Sequence, residues 1–244
     1  MKAVILAAGI ARRLAPLTDR AQKCLMPVGN RPLLMRMLTA LASVGVGEAV
    51  IVVGHYADQV RAIAGQRVGR MAVTYVENPD YARGSSVSLY AARAHLTGPV
   101  LVMDADVLFP REFLRRLLAT PAPSAFLLDR QFTDSGEEVK LYTRGARVIA
   151  LGKKAVPEAW ETMGEGVGFF KCGAEAAPRL PPLLERVIAE TDGAGEYEEA
   201  LHLLVQERHA DWVDITGLPW TEIDFVEDLR RAREEVLPRI TMLD

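Results

Sequence analysis

Apolar residues recur in two rhythms along this chain. In the first half, short uninterrupted runs at Val4–Leu6, Ala49–Val53 and Val100–Met103 alternate with stretches whose apolar positions return every three or four residues. Runs with no polar face predict strands buried on both sides. Arg31–Ser43 predicts a helix: Leu33, Leu34, Met37, Leu38 and Leu41 share one face, and Asn30 stands where a cap belongs. Pro32 lies near its start and Gly45 follows its end. Asp58–Ala64 and Ser86–His95 also predict helices, and Ala72–Val76 a strand. The alternation gives an α/β fold with a mixed, mostly parallel central sheet flanked by helices. Ligands of such sheets bind beyond the carboxyl ends of the strands.

The rhythm changes in the second half. Ala125–Asp129, Val139–Thr143 and Val148–Leu151 predict strands with no helix between them, and Arg144-Gly145 turns the last two into a hairpin. Helices at Leu183–Glu190 and Tyr197–Arg208, short strands at Trp212–Ile215 and Thr221–Ile223, and a closing helix at Phe225–Val236 complete the pattern. No repeat, low-complexity tract or linker interrupts the chain, so 1–244 is expected to form one domain with halves at 1–120 and 121–244.

Composition narrows the class of partner. The net charge of −3 gives no bulk attraction to nucleic acid or an anionic membrane. Cys24 and Cys172 are too few for a disulfide scaffold, and both are expected as reduced thiols. Cys24 is either packed or, beside Lys23, reactive. The apolar run at the N-terminus is too short for a signal peptide, and Arg12 and Arg13 stand where a cleavage site would be. No stretch reaches the roughly 18 apolar residues of a membrane span. A cytoplasmic monomer or homodimer is expected.

Candidate chemistry begins in the loop after the first strand. Its small residues Ala7-Ala8-Gly9-Ile10-Ala11 let backbone N–H groups approach an anion, Arg13 offers a fork for two oxygens, and Lys23 adds a point charge. A dinucleotide-binding turn would need three glycines and an acid closing the next strand, which here ends in Val53-Gly54-His55. A P-loop would need Gly-Lys-Ser/Thr, which is absent. The strand Val100–Met103 runs into Asp104 and Asp106, which period two places on one side, a pattern suited to Mg²⁺ beside phosphate. Asp224 lies between a short strand and the closing helix, as a second ligand or as an N-cap, and Asp228 suits a capping turn. Ser85 and Ser86 open a helix after Gly84, aimed at a ligand or capping the helix. Lys140 and Lys153 could hold a phosphate or phosphonate. Glu165, with Glu196, Glu198 and Glu199, suits a sugar hydroxyl or an ammonium group. Tyr142 and Trp160 are either core residues or a box for a cation. The four histidines show no ligand spacing.

The run LAAGIARRLAPLT followed by Lys23 resembles the signature loop LAAGxGxRLxPLTxxxPK of the nucleoside-diphospho-sugar pyrophosphorylase-like nucleotidyltransferases. Trp220–Asp228, W-x-E-I-D-x-x-x-D, is similar to the branch that makes CDP- and CMP-linked products from choline phosphate, inositol phosphate or aminoethylphosphonate. The resemblance implies a Rossmann-like nucleotidyltransferase fold with a small substrate lobe. It implies Mg²⁺-dependent transfer from CTP, or another NTP, to a phosphorylated alcohol or phosphonate, with release of pyrophosphate. By resemblance, residues 1–120 bind the nucleotide and 121–244 the acceptor. Leu6, Ala7, Ala8, Gly9 and Ala11 would line the nucleotide, Arg13 would grip the triphosphate, and Lys23 would bridge phosphates. Asn78, Ser85 and Ser86 would flank base and ribose, with Asp104 on the ribose side. Asp106 and Asp224 would hold Mg²⁺, and Lys140, Lys153, Glu165 and Glu198 the acceptor. Two positions depart from the signature: Ala11 replaces its second Gly, and Gln22 the Pro before Lys23. Ala11 is expected to be strained if the loop needs φ > 0 there, and Gln22 to loosen the turn that aims Lys23. The alternatives are a hexose-1-phosphate nucleotidyltransferase using UTP, dTTP or GTP, an inactive nucleotide sensor, and a glycosyltransferase using Asp-x-Asp.

Overall fold

The computed structural model describes residues 1–154 and 156–243. Strand β1 (Lys2–Ala7) feeds a long loop holding two 3₁₀ turns, Arg12–Leu14 and Lys23–Leu25, and a small hairpin of β2 (Pro27–Val28) and β3 (Arg31–Pro32). Then come α1 (Leu33–Ser43), β4 (Glu48–Val53), α2 (Ala57–Ala64), β5 (Arg67–Val68), β6 (Met71–Glu77) and α3 (Ser85–Ala91). β7 (Val100–Asp104), β8 (Val107–Leu108) and α4 (Glu112–Ala119) close the first half. The second half holds β9 (Ala125–Asp129), β10 (Lys140–Arg144), β11 (Arg147–Gly152), β12 (Thr162–Cys172), α5 (Leu180–Glu190) and α6 (Tyr197–Glu207). It ends with β13 (Asp211–Asp214), β14 (Thr221–Glu222), α7 (Val226–Arg231), a π-helical turn over Ala232–Val236 and α8 (Leu237–Leu243). No described helix is long and apolar enough to cross a membrane.

One sheet runs through both halves in the order β10-β11-β13-β9-β12-β7-β1-β4-β6-β5. The strands separated by helices, β7, β1, β4 and β6, are parallel. β7, β1 and β4 are nearly free of polar residues because both faces are covered, while β6 exposes Thr74 and Glu77. Ile5, Ile51 and Met103 pack on one side in the core shared with α1 and α4, while Val4, Val50 and Val102 pack on the other in the core shared with α3, α5 and α6. The antiparallel share of the sheet is larger than the alternating first half suggests. β12 pairs antiparallel with β7, β9 and β10, and β10 forms the expected hairpin with β11.

Three local expectations change. The helix expected from Arg31 starts at Leu33, because Arg31 and Pro32 pair with Val28 and Pro27. Asn30 therefore caps nothing; its Oδ1 accepts from Arg36 Nη2 at 3.4 Å. The helix expected over Ser86–His95 ends at Ala91 and resumes as a 3₁₀ turn at Arg93–His95.

A third, smaller core decides where the loop after β1 goes. Leu14, Met26 and Val28 from that loop pack with Leu108 of β8, Ile223, and Leu229, Val236 and Ile240 of the closing helices. Leu14 and Ile223 are both fully buried. Apolar packing thus anchors the residues next to Arg13 and Asp224 in one cluster. Along this loop Ala11 sits at φ +54°, ψ +49°, the left-handed conformation that costs a residue with a Cβ about 1 kcal/mol or more. Its carbonyl accepts from Leu14 N at 3.1 Å and Thr18 Oγ1 at 3.0 Å, so neighbours hold it there. Ala11→Gly is expected to stabilise the protein by about 0.5–1 kcal/mol, a rise of roughly 1–4 °C in Tm by calorimetry. An unchanged or lower Tm would show that the conformation carries no strain.

Candidate active site

A cleft of about 1030 Å³ opens at the carboxyl ends of β1 and β7. Leu6–Gly9 form one wall, Asp104 and Asp106 its floor, and Gly84 and Ser85 from the start of α3 a second wall. The first turn of α6, with Glu196–Glu199, faces them, and Lys153, Lys154 and Glu165 close the far end.

Charges from both ends of the chain meet on this floor. Lys23 Nζ lies 2.7 Å from Asp106 Oδ2 and 2.7 Å from Asp224 Oδ1. Arg13 Nη2 lies 2.7 Å from Asp224 Oδ2, and its Cζ sits 5.0 Å over the Phe225 ring. Asp106, Glu222 and Asp224 offer one oxygen each, all within 4.8 Å of one another. Local pairing explains the convergence. β14 pairs antiparallel with β8, Glu222 opposite Val107, and Ile223 N–H donates to the Asp106 carbonyl at 3.1 Å. Asp224 is not a helix N-cap, because Asp228 Oδ2 accepts from the N–H groups of Asp224 (3.1 Å) and Phe225 (2.9 Å). The Asp224 carboxylate is left to the cations.

Electrostatics follow from crowding. Burial acts to lower the Lys23 pKa, but Asp106 and Asp224 outweigh it and hold the ammonium well above its ordinary range. Burial acts to raise Asp224, but Lys23 and Arg13 keep it below the usual carboxylate value. Lost hydration, then the charges of Asp106 and Asp224, push Glu222 up to about 8. Burial and the neighbouring Asp106 push Asp104 well up. Asp106 Oδ1 is buried with no hydrogen-bond partner. A divalent cation fits this donor set: three crowded oxygen ligands, one with an idle buried oxygen, and no soft ligand among them.

The structure brings Arg13, Lys23, Asp106 and Asp224 together, and it lines the cleft with Leu6, Ala7, Ala8, Gly9, Ala11, Ser85, Asp104, Lys153, Glu165 and Glu198. Asp104 and Asp106 do not share an extended strand as period two suggested. β7 ends at Asp104, and Asp106 lies in the turn before β8. Asp104 Oδ2 accepts from the Tyr197 hydroxyl at 2.7 Å. It presses so close to Gly168 (φ +69°) that a Cβ there would stand 2.2 Å away, so only glycine fits.

Asn78, Ser86 and Lys140 do not reach the cleft. Asn78 is buried and shapes its own turn, donating to Ser88 Oγ at 3.0 Å and accepting from Asp80 N at 3.0 Å. Ser86 is fully buried under α3. Lys140 turns to Asp134 at 2.7 Å, because Leu141 of β10 and Val139 just before the strand take the inward positions. Tyr142 and Trp160 meet edge to face at 5.2 Å away from the cleft and box no ligand. Cys24 is packed, and burial pushes its thiol up to about 12. Ser85 Oγ donates to Glu196 Oε2 at 2.5 Å and accepts from Tyr197 N at 2.8 Å, joining the starts of α3 and α6.

One cleft residue was not singled out from sequence. Glu222 stands two residues before Asp224, the same spacing that drew notice to Asp104 and Asp106. Glu137 bridges loops: its Oε2 lies 3.3 Å from Arg13 Nη1 and 3.6 Å from Lys153 Nζ.

The fold is that of the nucleotidyltransferases. The model of the MobA-like NTP transferase domain matches residues 3–149, and the chain belongs to that family. It is 34% identical over 240 residues to the CMP-5'-(3-aminopropyl)phosphonate synthase of Streptomyces rubellomurinus, covering 95% of this chain and 38% of that protein. It is 33% identical over 239 residues to the bifunctional IPC transferase and DIPP synthase of Rubrobacter xylanophilus, covering 96% and 52%. The chain therefore spans only about a third to a half of these two relatives. The choline-phosphate cytidylyltransferase of Streptococcus pneumoniae is 26% identical over 239 residues, covering 96% of this chain and 97% of that one. The solved inositol-1-phosphate CTP transferase from T. maritima shares the fold, with a TM-score of 0.75 at 18% identity over 96% of this chain and 97% of that one.

Glu165 offers a stability test. Burial, then the charges of Glu138 and Asp129, push its carboxyl from 4.5 up to about 7. Between those values the folded chain binds the extra proton, so its contribution to stability is full below pH 4.5 and is lost as pH rises toward 7. Glu165→Gln is expected to match the parent near pH 4 and to exceed it above pH 7. The excess, discounted for partial exposure, is about 1–2 kcal/mol by chemical denaturation. Equal stabilities at both pH values would refute the shift.

Proposed function

We propose that this chain is a Mg²⁺-dependent cytidylyltransferase that joins the CMP part of CTP to a small phosphonate or phosphate monoester and releases pyrophosphate. One observation carries this reading: Arg13 and Lys23, from the loop after β1, converge at 2.7 Å on acids from two distant elements. Fixed cations next to a hard-cation donor set suit a chelated triphosphate.

The acceptor oxygen is already ionised at neutral pH, so no general base is needed. It attacks the α-phosphorus in line. The new O–P bond forms as the bond from the α-phosphorus to the bridging oxygen breaks, and that electron pair leaves with pyrophosphate. Charge grows on the non-bridging and leaving oxygens, so positioning and electrostatic stabilisation do most of the work. Lys23 supplies a fixed charge at the α-phosphate, and Arg13 forks the leaving pyrophosphate. Arg13 is half-exposed, so its pair with Asp224 is weak and phosphate can take its place. Asp106, Glu222 and Asp224 would hold Mg²⁺, which would supply neutralising charge for the phosphate oxygens.

The far end of the cleft supports an acceptor with an amine. Lys153 suits the phosphonate, while Glu165 and Glu198 suit a positive head. Glu198 Oε2 is hidden from water without a hydrogen-bond partner, and burial pushes its carboxyl up to about 8. An ammonium group would satisfy it. The name of the aminopropylphosphonate relative supports the same class.

The test is pyrophosphate release from CTP, UTP, dTTP or GTP with 3-aminopropylphosphonate, 2-aminoethylphosphonate, choline phosphate, inositol phosphate or a hexose 1-phosphate. CTP with an aminoalkylphosphonate is expected to be fastest. Arg13→Ala and Asp106→Ala should each lower kcat/KM about 100-fold or more. Silence with every pair would favour a nucleotide sensor. Glu198→Gln should cut the preference for 3-aminopropylphosphonate over propylphosphonate about 10-fold. An unchanged preference would remove Glu198 from acceptor recognition.

A further inference from the structure

We propose that Gln22 is a positioning residue: its side-chain amide aims Lys23 and fixes the backbone that faces the nucleotide. The role rests on the function proposed for Lys23. Gln22 is 3% exposed, which is unusual for a glutamine in a loop. Its amide is used from both ends. Nε2 donates to the carbonyls of Ala7 (2.9 Å), Gly9 (2.9 Å) and His55 (3.2 Å), and Oε1 accepts from Lys23 N at 2.5 Å. Its own N–H donates to Gln59 Oε1 at 3.3 Å, and Gln59 Nε2 donates to the Arg20 carbonyl at 2.9 Å.

Two consequences follow. The bond to Lys23 N fixes the start of the 3₁₀ turn Lys23–Leu25, and with it the direction from which the Lys23 side chain reaches Asp106 and Asp224. The bonds to Ala7 and Gly9 also orient the peptides that line the cleft. A trans peptide points its N–H opposite to its carbonyl, so pinning the carbonyls of Ala7 and Gly9 turns the N–H groups of Ala8 and Ile10 away from Gln22. The Ala8 carbonyl is held likewise by His55 N at 3.0 Å. One side chain therefore ties the anion-facing backbone to the catalytic ammonium.

The backbone of Gln22 explains how this residue can stand where the signature has Pro. Gln22 sits at φ −67°, ψ 138°. That φ is the one a pyrrolidine ring imposes. Here hydrogen bonds hold the same dihedral. The loosening expected from sequence is therefore reversed: Gln22 fastens the turn.

The experiment uses the full chain and two readouts. The first is kcat and KM with CTP, Mg²⁺ and the best acceptor. The second, which needs no turnover, is the acetylation rate of Lys23 read by peptide mass spectrometry. Gln22→Ala is expected to lower kcat about 10- to 100-fold, with the acceptor KM within about 3-fold. It should also acetylate at Lys23 at least about 5-fold faster than the parent as the ammonium leaves its carboxylates. Gln22→Glu, which sets a carboxylate against three carbonyls, should behave at least as badly. Gln22→Pro, which restores the dihedral by its ring but none of the amide's bonds to Ala7 and Gly9, should recover the slow labelling of Lys23 more fully than kcat. Parental labelling of Lys23 in Gln22→Ala overturns the positioning role whatever the turnover, as does a parental kcat in that variant. A parent that turns over nothing, yet shows the labelling contrast, overturns the assigned function and leaves the positioning role standing.

Discussion

The ammonium of Lys23 between Asp106 and Asp224 is the interaction on which the site depends. Three carboxylates within a few ångströms of one another repel, and each would take up a proton or swing into water. A buried cation at hydrogen-bond distance from two of them, Asp106 and Asp224, offsets that repulsion and holds the pair in place. The ions do not choose this geometry alone. Leu14 and Ile223 are sealed in one apolar cluster, and β14 is laddered onto β8, so Arg13 and Asp224 meet because their neighbours in sequence are packed. Hydrophobic burial supplies the driving force, and the charged groups inherit their positions from it.

The cleft divides its labour along the sheet. The parallel strands deliver β1 and β7 side by side, with Leu6 opposite Asp104, so the cation-bearing loop and the acid-bearing turn leave the sheet at the same edge. The antiparallel strands build the far end, where Lys153, Glu165 and Glu198 line the wall. Ser85 stitches the starts of α3 and α6 across the cleft, and Gly84 allows the close approach, since a Cβ there would stand 2.1 Å from the Gly195 carbonyl.

Much of this was legible in the chain. Uninterrupted apolar runs marked the parallel strands, and charge placed at strand ends and in the small-residue loop marked Arg13, Lys23, Asp106 and Asp224. What stayed hidden depends on tertiary pairing. Glu222 joins the acids only because β14 finds β8. Lys140 looked like a phosphate ligand, but strand alternation sends it to Asp134. Asn78 and Ser86 looked ligand-facing, and burial claims them for the scaffold. Gly164, Gly166 and Gly168 break the apolar rhythm of β12, an 11-residue strand that the hydrophobic pattern alone does not delimit. Gln22 was misjudged because sequence shows a lost ring but not the three carbonyls waiting for a donor.

That long strand has a mechanical consequence. β12 is hydrogen-bonded to β7 of the first half and to β9 and β10 of the second, so the two halves share one member of the sheet. They cannot open and shut like a clamshell about a hinge without tearing that ladder. Access to the cleft must be governed instead by its rim, where Glu137 on one loop spans the gap between Arg13 and Lys153 on two others. The same sharing makes the antiparallel end of the cleft and the floor under Asp104 a single cooperative unit, in which neither melts without loosening the other.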